Sequence, residues 1–203
     1  MSRRRWFLPE TPDLLGLLRH QAAVTIASLD AFTAWAGGDK RAADAVRDAG
    51  PRGDAARREL MSALRAAFVA PLEPEDVFAL SRGIDRIQRY ARDLVNESEA
   101  MATPPDARIA EMARLLGEAA RQIDAAIASL PSDSDAATES AEAALTTERR
   151  LEHAYYNGMA DLLELADRAE RIARRELYRR CARIGEAVVD VAERVVYAVV
   201  KQS

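Results

Sequence analysis

The apolar residues of this sequence recur at a spacing that only a helix places on one face. One stretch shows the pattern well, because its apolar positions alternate in steps of three and four: Ile109, Met112, Leu116, Ala119, Ile123, Ala126 and Leu130. This spacing places them on one face of an α-helix, which must be buried against other helices. Only 5% of the residues are aromatic, and Ala, Leu, Arg and Glu dominate the rest. This composition favours helix, so the sequence predicts an all-α protein.

Proline, glycine and capping residues divide the chain into six long helical segments. The first four predicted helices span residues 11–36, 39–69, 74–101 and 103–130, with a break or kink in the second at Gly50-Pro51. A fifth follows the turn LPSDSD and runs to about residue 167, and a sixth reaches the C-terminus. No glycine or proline marks the boundary between the last two helices.

Long amphipathic helices with short connections pack as antiparallel neighbours. Six of them predict two three-helix bundles packed side by side, residues 1–102 forming the first and 103–203 the second. A weak internal repeat supports this division, because at an offset of 101 residues Arg82 aligns with Arg183 and Asp85 aligns with Glu186. A duplicated three-helix unit explains both features.

The charge and cysteine content exclude several classes of protein. The 29 basic and 33 acidic residues are spread along the chain, so no basic face that would bind nucleic acid stands out. The single cysteine, Cys181, excludes an internal disulfide and a thiolate metal cluster. No apolar run reaches the roughly 20 residues that span a bilayer, and no apolar segment follows the basic start as in a signal peptide. We expect a soluble, cytoplasmic protein.

Three stretches carry a more specific pattern. The connection AFVAPLEPEDVFALSRGIDRI joins the second and third helices, WFLPETPDLLGLLRHQA leads into the first, and RELYRRCARIGEAVVDVAERVVYAVVK closes the chain. Together they resemble the PhoU-like proteins that accompany Pit-type phosphate transporters. The residues in register at the connection are Phe68, Pro71, Glu75, Asp76, Ala79, Leu80 and Asp85.

The resemblance implies a fold of two three-helix bundles and a non-enzymatic regulatory or adaptor role in phosphate transport. It implies a Pit-type phosphate transporter as the partner, at the cytoplasmic face of the membrane, to which this protein would be peripheral. It also implies carboxylate sites for a divalent metal such as iron, zinc or manganese. Association into a homo-oligomer stays open.

The closing stretch GEAVVDVAERV carries most of the metal ligands that the resemblance implies. Glu186 and Asp190 fill the family's D-x-x-x-D positions, Glu193 extends the same face, and Glu152 matches one acid of the L-E-x-E-A-D pattern in the preceding helix. Oxygen ligands on facing helices suit a hard divalent cation, which would also relieve the repulsion among the acids. We therefore predict one residual metal site at these four residues.

The corresponding first-half site is degenerate. Asp54 and Asp85 remain, but Arg89 and Arg92 follow Asp85 where the pattern has acids. An arginine keeps its positive charge and does not become a metal ligand. We expect the first-half site to have lost its metal.

Two alternatives stay open. The acids of the closing helix are also explained as a solvated stripe paired with arginines, which would make the protein a metal-free helical scaffold that binds a partner. A carboxylate-bridged metalloenzyme would need Glu-x-x-His pairs on two helices, and neither His20 nor His153 has a glutamate three residues earlier. Because no phosphate-binding loop, nucleophile elbow or catalytic triad is visible, we predict that the protein is not an enzyme.

Overall fold

The computed structural model describes residues 12–67 and 72–202, which form six α-helices and no strand. The helices are α1 (Leu14–Ala36), α2 (Ala42–Ala66), α3 (Pro74–Ala100), α4 (Ala107–Ser129), α5 (Ser134–Asp161) and α6 (Arg168–Gln202). A short 3₁₀ turn, Leu162–Glu164, follows α5. The all-α fold predicted from the sequence is confirmed.

Three helices begin at an aspartate that caps them. Asp13, Asp106 and Asp133 each accept a hydrogen bond from the backbone N–H three residues later, at 2.8–3.0 Å. Such caps satisfy N–H groups that have no partner inside the helix. The third helix begins at Pro74, as predicted, whereas the fourth was predicted too early because Asp106 rather than Thr103 supplies its cap.

The sequence predicted a break or a kink at Gly50-Pro51. Helix α2 continues through both residues, so it is not broken there, and the kink stays a prediction. A proline inside a helix removes one backbone hydrogen bond and normally costs stability. Here Nε2 of Gln88 on α3 donates to the carbonyl oxygen of Ala49 at 2.5 Å. Gly53 leaves room for this amide, because a Cβ at that position would lie 2.0 Å from Oε1 of Gln88. This hydrogen bond joins α3 to α2 beside the proline. The acceptor that Pro51 leaves without its helical donor is the carbonyl of Arg47, four residues before it.

The end of α2 also differs from the prediction. The helix stops at Ala66 because Ala67 is extended, with φ −70° and ψ 126°, whereas residue 69 was predicted as its end. The residues Thr11, Phe68 and Pro71, which entered the sequence predictions, lie outside the described residues.

The fifth helix ends six residues before its predicted end at about residue 167, whereas the sixth begins at Arg168. The fifth helix ends at Asp161, and Leu165 leaves helical geometry with a ψ of 123°. The carboxylate of Asp167 then accepts the N–H of Ala169 at 2.8 Å, at the start of α6. An aspartate cap, without glycine or proline, thus marks the start of α6.

Helices α1, α2 and α3 pack against one another, and so do α4, α5 and α6. Contacts of α3 with α6 and of α1 with α4 join the two groups, so the molecule consists of two three-helix bundles side by side. Buried apolar side chains from all six helices form one cluster. The division into separate domains at residue 102 stays a prediction.

The interface between α3 and α6 combines a close approach of the helices with ionic contacts. A Cβ at Gly83 would lie only 2.3 Å from Cγ2 of Val191, so this contact requires glycine. Charged and aromatic pairs connect the same two helices along their length. They are Asp76–Arg194 at 2.9 Å, Arg86–Asp190 at 2.5 Å, Arg183 over the ring of Tyr90 at 4.6 Å, and Glu97–Arg180 at 2.5 Å.

We expect Gly83→Ala to destabilise the protein by about 1–3 kcal/mol, because the new methyl group would overpack a closely fitted interface. Urea unfolding followed by circular dichroism measures this change. The matched control is Gly117→Ala in α4, where the nearest atom to a new Cβ is 3.4 Å away on the flexible side chain of Arg121. That variant should gain about 0.5–1 kcal/mol from helix propensity. Equal stabilities for the two variants would contradict the close packing of α3 on α6.

Candidate functional site

A cleft of about 510 Å³ lies between α5 and α6 and contains two of the predicted metal ligands. Glutamate, arginine and tyrosine side chains line it. They are Glu148, Glu152, Tyr155 and Tyr156 of α5, and Glu176, Arg179, Arg180, Arg183 and Glu186 of α6, together with Ala182. Because α5 and α6 pack against each other, both helices contribute side chains to this cleft.

One glutamate of the cleft, Glu148, is repelled by two others. Glu148 is half-buried, and burial is the main reason that its pKa is raised above the usual value. The charges of Glu152 and Glu186 raise the pKa of Glu148 further. Gly185 allows the two helices to approach at this point, since a Cβ there would lie 3.1 Å from Oε1 of Glu148. The cleft is therefore a place where added positive charge would lower the electrostatic energy.

The four predicted metal ligands of the second half do not lie in one site. Glu152 and Glu186 line the cleft. Asp190 instead forms an ion pair with Arg86 of α3 at 2.5 Å, and Glu193 is exposed outside the lining of the cleft. Two of the four acids thus share one site, and two do not.

The sequence predictions missed Glu148. It lies four residues before Glu152, so the two carboxylates are on the same face of α5. This E-x-x-x-E spacing could have identified Glu148 as a third member of the acidic group. Glu152 also accepts a hydrogen bond, because the hydroxyl of Tyr156, one turn further along α5, donates to its Oε1 at 3.2 Å.

The predicted residues of the first half are Asp54, exposed on α2, and Asp85, half-buried on α3. An arginine occupies part of the surface between these helices. Nη1 of Arg92 lies 3.2 Å from the position that a Cβ of Gly50 would take, and Arg92 also pairs with Asp93 at 3.3 Å. A guanidinium group therefore lies between α2 and α3, where the family pattern has acids.

The donor geometry does not fit a resident metal as the side chains are placed. Within residues 12–67 and 72–202, no group of three or more His, Cys, Asp or Glu residues is arranged so that it could hold a metal ion. Asp190 is already neutralised by Arg86, and hard divalent cations need several converging oxygen ligands. The metal site at Glu152, Glu186, Asp190 and Glu193 stays a prediction.

Two arginines of the cleft have partners other than the three glutamates. Arg180 forms an ion pair with Glu97 of α3 at 2.5 Å, and the guanidinium of Arg183 lies 4.6 Å from the ring centroid of Tyr90. Both residues therefore take part in the interface with α3. Their guanidinium groups contact residues of α3 and form no ion pair with Glu148.

Side chains with reactive chemistry are separated in this structure. Cys181 is fully buried, and burial together with the charge of Asp106 raises the pKa of its thiol, so the thiol stays protonated and unreactive. His20 and His153 are exposed on α1 and α5. Among the helices described, none is long and apolar enough to cross a membrane.

Replacing Glu148 by glutamine should stabilise the protein at neutral pH. The pKa of Glu148 is raised in the folded state, so its proton-linked stability is present at low pH and lost as the pH rises through the folded pKa. Glu148→Gln should therefore raise Tm more at pH 7 than at pH 4. The gain should stay below about 0.5 kcal/mol, because water screens this partly exposed site.

The control for this change is Glu142→Gln, which neutralises an exposed glutamate earlier on α5. Its effect on Tm should be the same at both pH values. A lower Tm of Glu148→Gln at pH 7 would contradict the repulsion of Glu148 by Glu152 and Glu186.

Two solved structures share the fold of this chain. A PhoU-like protein from Shewanella oneidensis MR-1 gives a TM-score of 0.73 at 13% sequence identity, over 93% of this chain and 96% of that chain. A candidate PhoU-like phosphate regulatory protein from the same organism gives a TM-score of 0.72 at 13% identity, with the same coverage. No protein-family model and no curated protein matches the sequence. The chain therefore has the fold of these PhoU-like structures.

Proposed function

We propose that this protein regulates phosphate transport without being an enzyme, by binding a membrane phosphate transporter. The observation that carries the proposal is the shared fold, which covers 93% of this chain and 96% of a PhoU-like protein. A second structure with the same fold is a candidate phosphate regulatory protein. Because one fold can host several functions, the resemblance in the connection between α2 and α3 and in α6 adds the support that the fold alone lacks.

The chemistry of the described residues supports an adaptor rather than an enzyme. General acid–base or nucleophilic catalysis needs a nucleophile and a base within hydrogen-bond reach of each other. Cys181 is buried as a neutral thiol, while His20 and His153 are exposed on different helices. The cleft between α5 and α6 supplies charge and concave shape, which suit the binding of a partner or ion.

The finer parts of the proposal concern the partner and its place in the cell. We assign the partner to the Pit-type phosphate transporters on the resemblance of the sequence to the proteins that accompany them. Binding would then occur at the cytoplasmic face of the membrane, with this protein peripheral to it. Self-association of the chain is compatible with this role.

A metal-free scaffold is the form of this proposal that the side-chain contacts favour. Asp190 is paired with Arg86 across the α3–α6 interface, so recruiting it to a metal would break that ion pair. Glu193 lies outside the cleft. Glu152 and Glu186 remain near Glu148, and these acids would provide the oxygen ligands if a divalent iron, zinc or manganese ion were bound.

The proposed partner can be tested by affinity purification of the tagged full-length chain from its native cells in mild detergent. We expect quantitative mass spectrometry to find a membrane phosphate transporter enriched over a purification of an unrelated tagged helical protein. Deleting the gene should also change the initial rate of labelled phosphate uptake. If no transporter is enriched and the uptake rate is unchanged, the proposed function is wrong.

Metal dependence is tested by elemental analysis of protein purified without a metal affinity step or chelator. We expect less than stoichiometric iron, zinc and manganese in the wild type, and the same amounts in the double variant Glu186→Ala, Asp190→Ala. About one equivalent of metal in the wild type that is missing from the double variant would show that these acids are ligands. That result would replace the metal-free form of the proposal by the metal-binding form.

A further inference from the structure

The first half of α6 is strongly basic. Residues 168–183 contain seven arginines and only two glutamates, Glu170 and Glu176. Four of these arginines are engaged within the molecule. Arg171 donates to the carbonyl oxygen of Leu165, Arg174 pairs with Asp106 and Glu170, Arg180 pairs with Glu97, and Arg183 lies over Tyr90.

The other three, Arg168, Arg175 and Arg179, are exposed, and the ion pairs of the described residues include none of them. Arg179 lies at the end of this group where α6 enters the cleft with Glu148 and Glu186. With Ile172 the three arginines follow the spacing i, i+4, i+7 and i+11, which places all four side chains within an arc of about 60° on one face of the helix. This group spans about 16 Å along the axis. We call Arg168, Ile172, Arg175 and Arg179 the basic face of α6.

Apolar side chains accompany these charges. Ile172, in the middle of the basic face, is 60% exposed, and Leu163, in the 3₁₀ turn before the helix, is 76% exposed. A large aliphatic side chain between unpaired arginines is not explained by packing within the molecule. Two acids lie near the start of this helix. Asp167 accepts a hydrogen bond from the N–H of Ala169, and Glu164 is exposed.

We propose that the basic face docks on an anionic membrane surface, with the arginines on lipid headgroup phosphates and Ile172 inserted between them. Guanidinium groups bind phosphate oxygens in a bidentate manner. Helices that lie on membranes combine arginines with exposed aliphatic residues in this way. The chemistry fits lipid better than nucleic acid, because the basic face contains no aromatic side chain on which a base could stack.

This inference deepens the proposed function and rests on it for its biological role. A regulator of a membrane transporter must reach the surface that holds its partner, and weak binding to lipid would concentrate it there. Three arginines give an electrostatic attraction that is reversible and dependent on salt. The basic face therefore provides a contact with the membrane that does not require the transporter.

The test uses the purified full-length protein and lipid vesicles that contain no transporter. Cosedimentation is measured with vesicles of phosphatidylglycerol and phosphatidylcholine and with vesicles of phosphatidylcholine alone. We expect binding to the anionic vesicles at low salt, loss of that binding at high salt, and no binding to phosphatidylcholine. Absence of binding to the anionic vesicles at low salt overturns the inference.

The triple variant Arg168→Gln, Arg175→Gln, Arg179→Gln tests which residues bind. Each arginine near an anionic surface contributes roughly fivefold to binding, so the triple variant should bind on the order of a hundredfold more weakly. Ile172→Ala should weaken binding roughly three- to tenfold, because part of the inserted apolar area is removed. Equal Tm values for wild type and variants confirm that the fold is intact.

The matched control is Arg52→Gln, Arg58→Gln, Arg65→Gln, which changes the net charge equally on exposed positions of α2. This helix does not contact α6. The control should keep most of the binding, and if it loses as much as the triple variant of α6, net charge rather than the basic face is responsible and the inference is wrong. Transporter enrichment in the affinity purification is a separate result, so failure of lipid binding and failure of the proposed function are distinguishable.

Discussion

The close contact between Gly83 and Val191 is the constraint on which the arrangement of the two bundles depends. Any larger residue at position 83 would collide with Val191, so the two helices would have to separate. The ion pairs on either side of this contact, Asp76–Arg194 and Arg86–Asp190, form only while α3 and α6 stay in this register. The apolar contact thus fixes the distance between the bundles, and the charged pairs fix their register.

This interface explains why the acids of α6 have different environments although they share one face. Glu186 reaches the cleft beside α5, Asp190 reaches an arginine of α3, and Glu193 faces water. The spacing of three acids in a sequence indicates that they share a face. It does not indicate which neighbouring helix each of them meets, because that depends on how the helices cross.

Much of the fold could be predicted from the sequence because its signals are local. Apolar spacing predicted the helices, and Pro74 marked the start of the third correctly. The predictions failed where a contact from another part of the chain decides the outcome. Helix α2 passes through Pro51 beside a hydrogen bond from Gln88 of α3, and nothing within the segment itself reveals that contact. The end of the fifth helix at Asp161 was missed for a different reason, since no glycine or proline follows it, and the aspartate cap at Asp167 marks only the start of α6.

The candidate site was predictable to a similar degree. Glu152 and Glu186 were placed on facing helices, and the structure brings both to one cleft. The pKa of their neighbour Glu148 is raised mainly by burial, which depends on tertiary structure and cannot be read from the sequence. The pairing of Asp190 with Arg86 crosses 104 residues of sequence and also depends on the fold. The basic face of α6 was missed because acidic residues elsewhere balance its charge in the total composition.

The charges on the outer face of α6 change sign along the helix, since Arg168, Arg175 and Arg179 are followed by the exposed Glu186 and Glu193, whereas Asp190 between these two is paired with Arg86. The centres of these two groups are about 20 Å apart along the axis, which exceeds the screening length of about 8 Å at physiological ionic strength. A charged surface near one end of the helix therefore interacts mainly with the charges at that end. The helix acts as an electric dipole. Near a negatively charged surface such a dipole experiences a torque, which turns the arginine end toward the surface before contact. In the proposed docking on an anionic surface, the order of charges in this helix favours an approach in which the arginine end meets the surface first.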